Sequence, residues 1–171
     1  YGLSGGSATT VYPESDFSNS SIISGGSLIE VPYQPSVTIT DLKQKDGSIG
    51  KVSIDRVSLS CKVYEGATDS SMSKGAGHYT SSGIYTGNIG LFGHNRGSHA
   101  YFAKLKNVKI GDIVEYKTAI GTKTYQVTFV GSISCTDYSY LNEMGDNRIT
   151  LITCIANQPS LRLCVQAVEI R

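Results

Sequence analysis

Thr150-Leu151-Ile152-Thr153-Cys154, with Arg162 eight residues beyond the cysteine, is the most informative stretch of this chain. Residues 149–155 alternate branched apolar side chains with threonines, and residues 161–170 repeat the alternation, as half-buried β-strands do. Every residue of 156–160 favours a loop. Two strands joined by so short a loop pair antiparallel. The sequence therefore predicts that the cysteine, at the end of the first strand, lies beside Arg162, at the start of the second.

The chemistry of this hairpin depends on the environment of Cys154. A thiol next to a fixed cation at the mouth of a strand can be held as the thiolate, which is the nucleophilic form. A cysteine in an apolar strand is equally well explained as a small core residue. The hairpin alone leaves both interpretations open.

Length and charge limit what the whole chain can do. Its 171 residues suit one domain with a sizeable core. The 15 basic and 14 acidic side chains nearly cancel to a net charge of +1, so the electrostatic signature of a nucleic-acid-binding protein is missing. Abundant glycine, 11 tyrosines and many short β-branched runs favour an all-β domain.

The four cysteines, Cys61, Cys135, Cys154 and Cys164, do not follow the spacing of a zinc site, and no metal or cofactor is expected. Their even number leaves disulfide pairing open, because connectivity cannot be deduced from sequence. By strand parity Cys164 shares a face with Arg162, and we interpret it as a small core residue.

The chain divides into a polar segment and one folded domain. Residues 1–36 are rich in Ser and Gly and contain three prolines, so they are predicted to form a flexible linker or tail in which only 27–33 could add an edge strand. Residues 37–171 are the predicted domain. The chain starts with Tyr1 and shows neither a signal peptide nor an apolar run that could span a bilayer, which we interpret as the mark of an excised fragment.

Alternating hydrophobicity predicts about eight strands. Besides the last two, strands are expected at 49–54, 57–64, 87–95, 113–118 and 125–134, with a hairpin turn at Ile120-Gly121-Thr122. A helical turn is expected at 69–74, an amphipathic helix at 98–106, and a short helical turn within 136–147. The lack of βαβ periodicity favours an antiparallel or mixed barrel.

A cysteine mechanism needs an imidazole within hydrogen-bond reach of the thiol, and the chain offers His78, His94 and His99. His94 is the best candidate because it ends an apolar strand and precedes a loop. His99 opens the predicted helix, and His78 is as readily a buried structural histidine.

Several segments, taken in order, resemble the sortases, the cysteine transpeptidases of Gram-positive cell surfaces. The resemblance begins with Thr150–Cys154 and Arg162-Leu163 and covers roughly 49–170. The further matching segments are Ile49-Gly50-Lys51-Val52-Ser53-Ile54, Val63-Tyr64-Glu65-Gly66, Gly75-Ala76-Gly77-His78-Tyr79, Gly93-His94-Asn95-Arg96, Phe102-Ala103-Lys104-Leu105 and Gly111-Asp112. One such segment would be a weak signal, but the ordered set is specific.

This resemblance implies an eight-stranded sortase-type β-barrel with short helices and 3-10 turns. It also implies a triad in which Cys154 attacks the Thr–Gly carbonyl of an LPXTG-like sorting signal and His94 serves as acid and then base. Arg162 would hold the substrate and the oxyanion. The residues expected to contact substrate are the neighbours of the triad in sequence, Asn95, Thr153 and Leu161.

The resemblance further implies an amine acceptor, such as lipid II or a pilin lysine, and a parent protein anchored at the outer face of a Gram-positive membrane. Residues 1–48 lack the Asp-Pro-aromatic lid motif of pilus-building sortases, and the compact hairpin looks most like class D, with classes A and E close behind. Two alternatives stay open: a cysteine peptidase that hydrolyses the same signal, and a non-catalytic barrel that binds cell-surface peptides.

Overall fold

Eight strands close into one barrel in the computed structural model, which describes residues 36–170. The strands are β1 (Ser48–Ile54), β2 (Leu59–Glu65), β3 (Ala76–His78), β4 (Asn88–Phe92), β5 (Ile113–Thr118), β6 (Gly121–Ser134), β7 (Arg148–Ile155) and β8 (Gln158–Glu169). Their order around the barrel is β1-β2-β3-β4-β7-β8-β6-β5. The predicted all-β barrel is confirmed. The predicted linker, apart from its last residue, and the edge strand at 27–33 lie outside the described residues.

Two of the eight pairings are parallel, β2 with β3 and β4 with β7, and the other six are antiparallel. The parallel pairing of β4 with β7 matters most for the site. Parallel strands end at the same edge of a sheet, so the segment that follows β4 emerges beside the end of β7.

Residues 36–170 also contain five short helical segments, of which the first precedes β1 and the other four connect strands. They are α1 (Ile39–Leu42), α2 (Asp69–Met72) and 3-10 turns at Asp55–Val57, Ala103–Asn107 and Ser139–Leu141. The turns predicted at 69–74 and within 136–147 are confirmed. The amphipathic helix predicted at 98–106 is wrong, because only a 3-10 turn forms there. Phe102 and Leu105 are three residues apart and both fully buried, a spacing that a 3-10 turn satisfies.

The barrel interior is filled by alternate residues of the strands. In β7 these are Ile149 and Leu151, and in β8 they are Val165 and Ala167. Because successive side chains of a strand point to opposite faces, Ile152 and Cys154 belong to the outer face of the barrel.

The two tight hairpins differ in detail from the sequence-based prediction. Thr118 pairs with Gly121, so the β5–β6 turn is formed by Ala119 and Ile120 and not by the predicted residues 120–122. The predicted loop at 156–160 is wrong, since β8 already begins at Gln158 and only two residues form the turn. Asn157 makes this possible with a φ of 59°, a left-handed conformation that asparagine tolerates.

An ion pair joins the first 3-10 turn to the start of β5. Both carboxylate oxygens of Asp112 accept hydrogen bonds from Arg56, and that of Nη2 measures 2.7 Å. Arg56 Nη2 also donates to Asn107 O at 2.6 Å, and Lys109 N donates to Asp112 Oδ2 at 2.8 Å. The Arg56 guanidinium holds the pKa of Asp112 below its ordinary value.

We expect Asp112→Asn to lower the melting temperature by several degrees at pH 7 and by less near pH 3. A carboxylate whose pKa is lower in the folded than in the unfolded state stabilises the fold fully above its unfolded value of about 4, and this effect is lost progressively as the pH falls through the folded-state pKa. Thermal unfolding at both pH values measures the difference. Glu115→Gln, at an exposed position of β5 itself, is the matched control. A deficit of equal size at both pH values would contradict the ionic interpretation.

Candidate active site

The end of β7 is joined to the segment after β4 by backbone and side-chain hydrogen bonds. Gly93 N donates to Ile152 O at 3.2 Å, which continues the parallel ladder one residue beyond β4. Thr153 Oγ1 donates to Gly93 O at 2.6 Å. His94 therefore follows the strand directly instead of lying within it, as the predicted strand at 87–95 placed it. Its backbone is fixed next to the peptide that carries Cys154.

A second tether lies on the other side of His94. Asn95 Nδ2 donates to Cys154 O at 2.8 Å, and Phe102 N donates to His94 O at 2.9 Å. Gly93 is required in this arrangement, because an added Cβ would lie 2.6 Å from the ring of Phe102. The half-buried side chain of His94 is thus carried by a segment that is tied to Cys154 on both flanks.

Arg162 lies directly opposite Cys154 in the antiparallel register of β7 and β8, as the hairpin prediction required. Its Nη1 donates to Pro159 O at 3.0 Å and to Leu161 O at 2.8 Å. These two bonds orient a half-buried guanidinium against its own strand. The structure brings the ends of β4, β7 and β8 together, and so places the segments that carry the three predicted triad residues side by side.

The four cysteines differ sharply in their environments, and all four are free thiols. Burial raises the pKa of both Cys61 and Cys164 to about 12, so these two stay protonated at neutral pH. The interpretation of Cys164 as a core residue is confirmed, since it is fully buried. Cys154 and Cys135 are half-buried. Of the four thiols, only these two half-buried ones are accessible to a substrate.

Neither of the other two histidines is placed like His94, because one is fully buried and the other is exposed on a loop. His78 is fully buried, with Nδ1 2.9 Å from Glu65 Oε2 and Nε2 2.7 Å from Gly83 O. It is a structural histidine that joins β3 to β2 and to the loop before β4. His99 is exposed on the loop after β4. His94 stays the predicted acid and base.

The three residues predicted to bind substrate have different surroundings. Thr153 is only 3% exposed, and its hydroxyl donates to Gly93 O, so it holds the end of β7 to the segment after β4. Asn95 is likewise a tether, and its buried Oδ1 finds no hydrogen-bond partner within residues 36–170. Leu161 is half-buried and offers its carbonyl to Arg162. Direct contacts of these residues with a ligand stay predictions.

The segment between β6 and β7 also contacts the β7–β8 hairpin, since Cys135 N donates to Ser160 O at 2.8 Å, which the sequence analysis did not foresee. Tyr138 stacks on Tyr79 with 6.4 Å between ring centroids and 21° between planes, and Tyr79 meets Phe92 edge to face. Burial raises the pKa of the Tyr138 phenol. Two tyrosines in an otherwise polar loop were the available signal.

Within the described part of the chain, no group of three or more His, Cys, Asp or Glu side chains is arranged to hold a metal ion. The same residues include no helix long and apolar enough to cross a membrane.

Comparison with known proteins identifies sequence relatives. Residues 52–170 match the family model described as Sortase domain. Sortase A of Bacillus anthracis is 29% identical over 132 residues, which are 76% of this chain and 62% of that protein. Sortase A of Listeria monocytogenes is 30% identical over 112 residues, which are 64% of this chain and 50% of that protein. The chain thus spans less than two thirds of the length of these curated relatives.

Solved structures share the fold. The lid mutant of Streptococcus agalactiae Sortase C1 matches with a TM-score of 0.71 and 26% identity, over 76% of this chain and 72% of that chain. Sortase A of Listeria monocytogenes matches with a TM-score of 0.67 and 26% identity, over 74% of this chain and 89% of that chain.

We expect an alkylating reagent at pH 7 to modify Cys154 and Cys135 in the native protein and to spare Cys61 and Cys164. The reason is that the thiolate is the reactive form, and burial keeps the last two thiols both protonated and out of contact with the reagent. Peptide mapping by mass spectrometry after a short exposure to iodoacetamide measures each site. The same treatment in denaturant is the control, in which all four should react. Early modification of Cys164 in the native protein would contradict the burial described here.

Proposed function

The chain belongs to the sortase family, and on this premise we propose that it is a cysteine transpeptidase acting on surface proteins with an LPXTG-like sorting signal. It cleaves the signal between Thr and Gly through a thioacyl intermediate on Cys154 and transfers the protein to an amine. The observation that carries the proposal is the direct pairing of Cys154 with Arg162, beside a segment that is tethered to Cys154 O and carries His94.

In the first half of the reaction the Cys154 thiolate attacks the carbonyl carbon of the threonine in the signal. A C–S bond forms, and the carbonyl π electrons move onto oxygen to give a tetrahedral oxyanion. When the oxyanion collapses, the C–N bond to glycine breaks and the His94 imidazolium protonates the departing amine. The products of this half are a thioester on Cys154, a free glycine amine and a neutral imidazole.

In the second half the incoming amine attacks the thioester carbon, and neutral His94 takes the proton that the new amide nitrogen loses. The C–N bond forms, the C–S bond breaks, and the thiolate–imidazolium pair is restored. Charge and protons balance over the cycle, so no cofactor is required.

Arg162 is proposed to stabilise the oxyanion of both halves. A guanidinium presents a planar set of fixed donors, and oxyanion donors act best when they are held in place before the charge develops. The bonds from Nη1 to Pro159 O and Leu161 O support this role, because they orient the group in the absence of substrate.

The finer assignments follow from the family and the hairpin. We propose lipid II or a pilin lysine as the amine, the outer face of a Gram-positive membrane as the location, and class D as the subclass. The two-residue turn between β7 and β8 supports the subclass, since it leaves no room for an inserted helix.

The proposed function is tested by incubating the protein with an LPXTG-type peptide, with and without an amine such as triglycine. We expect a thioester adduct on Cys154 and an amide product only when amine is present. Cys154→Ala should give neither, because no other nucleophile is proposed, whereas Cys61→Ala and Cys135→Ala should retain activity. Mass spectrometry identifies each species. Hydrolysis unaffected by amine would indicate a peptidase, and no adduct at all would indicate a binding barrel.

Arg162→Lys separates the geometry of the guanidinium from its charge. We expect it to lose about 10²–10³ in kcat, nearly as much as Arg162→Ala, because an ammonium is a single hydrated point charge on a flexible stem and cannot replace fixed oxyanion donors. The measurement is a complete pH–rate profile. A curve lowered at every pH supports the geometric role. A curve shifted along the pH axis but nearly as high would show that charge alone suffices.

A further inference from the structure

Three lysines form a row across the outer face of β2, β1 and β5, and the proposed reaction does not use them. Lys51 of β1 lies directly opposite Lys62 of β2 on one side and directly opposite Lys117 of β5 on the other. All three side chains are exposed, and we call them the lysine row. They point outward because their buried neighbours in the strands, such as Val52 and Val63, point into the barrel.

The lysine row is unfavourable for the protein on its own. Residues directly opposite each other on antiparallel strands have Cβ atoms about 4.5–5.5 Å apart, and like charges at such positions are destabilising. Lys51 meets a like charge on both sides. Lysines on an exposed strand often keep a sheet edge from pairing with another chain, but a closed barrel has no such edge. An anionic partner would remove the repulsion, and therefore explains the row better.

Acidic side chains neutralise little of this charge. Asp46 forms an ion pair with Lys62, and the hydrogen bond from Lys62 holds the pKa of Asp46 well below its usual range, so this pair is ionised at neutral pH. In the described part of the chain, no ion pair involves Lys51 or Lys117. Glu115 lies on the same face of β5 but is not paired with either lysine in the strand register. Two positive charges of the row are therefore available to a partner.

A fourth lysine extends the charged surface beyond Lys62. Lys74 is exposed, and its Nζ lies 5.1 Å from the centroid of the Tyr64 ring. Tyr64 follows Lys62 by two residues in β2 and so belongs to the same outer face. Because the ammonium group lies over this half-buried ring, the surface offers charge and not a bare aromatic face on which nucleic-acid bases could stack.

The curvature of this surface favours a flexible partner. The lysine row occupies three adjacent strands of an eight-stranded barrel, in which each strand is turned by about 45° from the next around the barrel axis. Lys62 and Lys117 therefore leave the barrel in directions that differ by about 90°. A planar bilayer surface contacts only part of so curved a row, whereas a flexible chain can follow all of it.

We propose that the lysine row, together with Lys74, is an interaction surface for a flexible linear polyanion, such as a chain of phosphate or phosphodiester groups. The surface lies on the opposite side of the barrel from the candidate active site. Between β1 and β7 lie β2, β3 and β4 on one side and β5, β6 and β8 on the other. A polymer bound along the row therefore holds the domain while Cys154, on the outer face of β7, stays accessible.

Binding is measured by fluorescence anisotropy with an end-labelled linear polyphosphate at increasing NaCl concentrations. We expect the logarithm of the wild-type affinity to fall linearly with the logarithm of the salt concentration, because each neutralised phosphate releases counterions. The row variant combines Lys51→Gln, Lys62→Gln and Lys117→Gln. It should bind about 100-fold more weakly at low salt, roughly fivefold per lysine, and its salt slope should be smaller by about 2.

A matched control separates the position of the lysines from their charge. The control variant combines Lys104→Gln, Lys106→Gln and Lys109→Gln, which remove the same number of charges at exposed positions outside the row. It should bind polyphosphate within about twofold of wild type. An equal loss of affinity in the two variants would show that net charge alone drives binding, and would overturn the proposal.

Thermal unfolding gives a readout that loss of folding cannot imitate. We expect Lys51→Gln to raise the melting temperature of the free protein at low ionic strength, because it removes the repulsion from both neighbours. Polyphosphate should raise the melting temperature of wild type and not that of the row variant, since a ligand stabilises the state that binds it. A lower melting temperature for Lys51→Gln would contradict the repulsion on which the inference depends.

Two further measurements test the partner and the place of binding. Vesicles of phosphatidylglycerol and phosphatidylcholine, at the same concentration of accessible phosphate, should bind the protein more weakly than polyphosphate. Tighter binding to vesicles that is lost in the row variant would overturn the choice of a flexible polymer. Saturating polyphosphate should leave the rate of Cys154 modification by iodoacetamide unchanged, and slower modification would place the polyanion at the active site instead. None of these measurements uses a sorting-signal peptide, so their outcome does not depend on the proposed function.

Discussion

The parallel pairing of β4 with β7 is the constraint on which the rest of the site depends. A parallel pair delivers both of its C-terminal ends to one edge of the sheet, and here those ends lead to His94 and to Cys154. The ladder stops at Phe92, but the bonds that Gly93 makes to Ile152 O and to the Thr153 hydroxyl continue it one residue further. A hairpin alone could not produce this arrangement, because it would bring together only residues that are close in sequence.

The inward and outward faces of β7 differ in polarity and in role. Its inward residues are apolar and complete the barrel core, whereas its outward residues run from the polar Thr150 through Ile152 to Cys154. A buried polar residue is tolerated only when its hydrogen bonds are satisfied, and here Asn88 Oδ1 accepts from the Thr150 hydroxyl while the Tyr140 carbonyl, in the loop after β6, accepts from Asn88 and Gln166. The apolar side chain of Ile152 lies between Thr150 and Cys154. The hydrogen-bonded Thr150, which stabilises the fold, and the proposed nucleophile Cys154 therefore lie at different positions along the outer face of β7.

Much of this could be predicted from sequence, and what could not has physical causes. Alternation predicted the strands, since one face of each is buried, and the strand ends predicted the neighbourhood of Cys154 and Arg162. The convergence of Asn88, Thr150 and Gln166 on one carbonyl could not be predicted, because it depends on which strands become neighbours after closure. The helix at 98–106 failed because apolar spacing of three residues suits a 3-10 turn as well as an α-helix.

The start of β8 shows how an irregular strand can orient a side chain. Cys154 pairs with Arg162, yet Ile155 pairs with Gln158, so the residues between Gln158 and Arg162 leave the β7 ladder. Pro159 suits such a departure, because it has no N–H to donate. Two carbonyls of this stretch, those of Pro159 and Leu161, instead accept bonds from the Arg162 side chain. The same irregularity that interrupts the ladder therefore supplies the acceptors that hold the guanidinium, and a longer regular hairpin would remove that support.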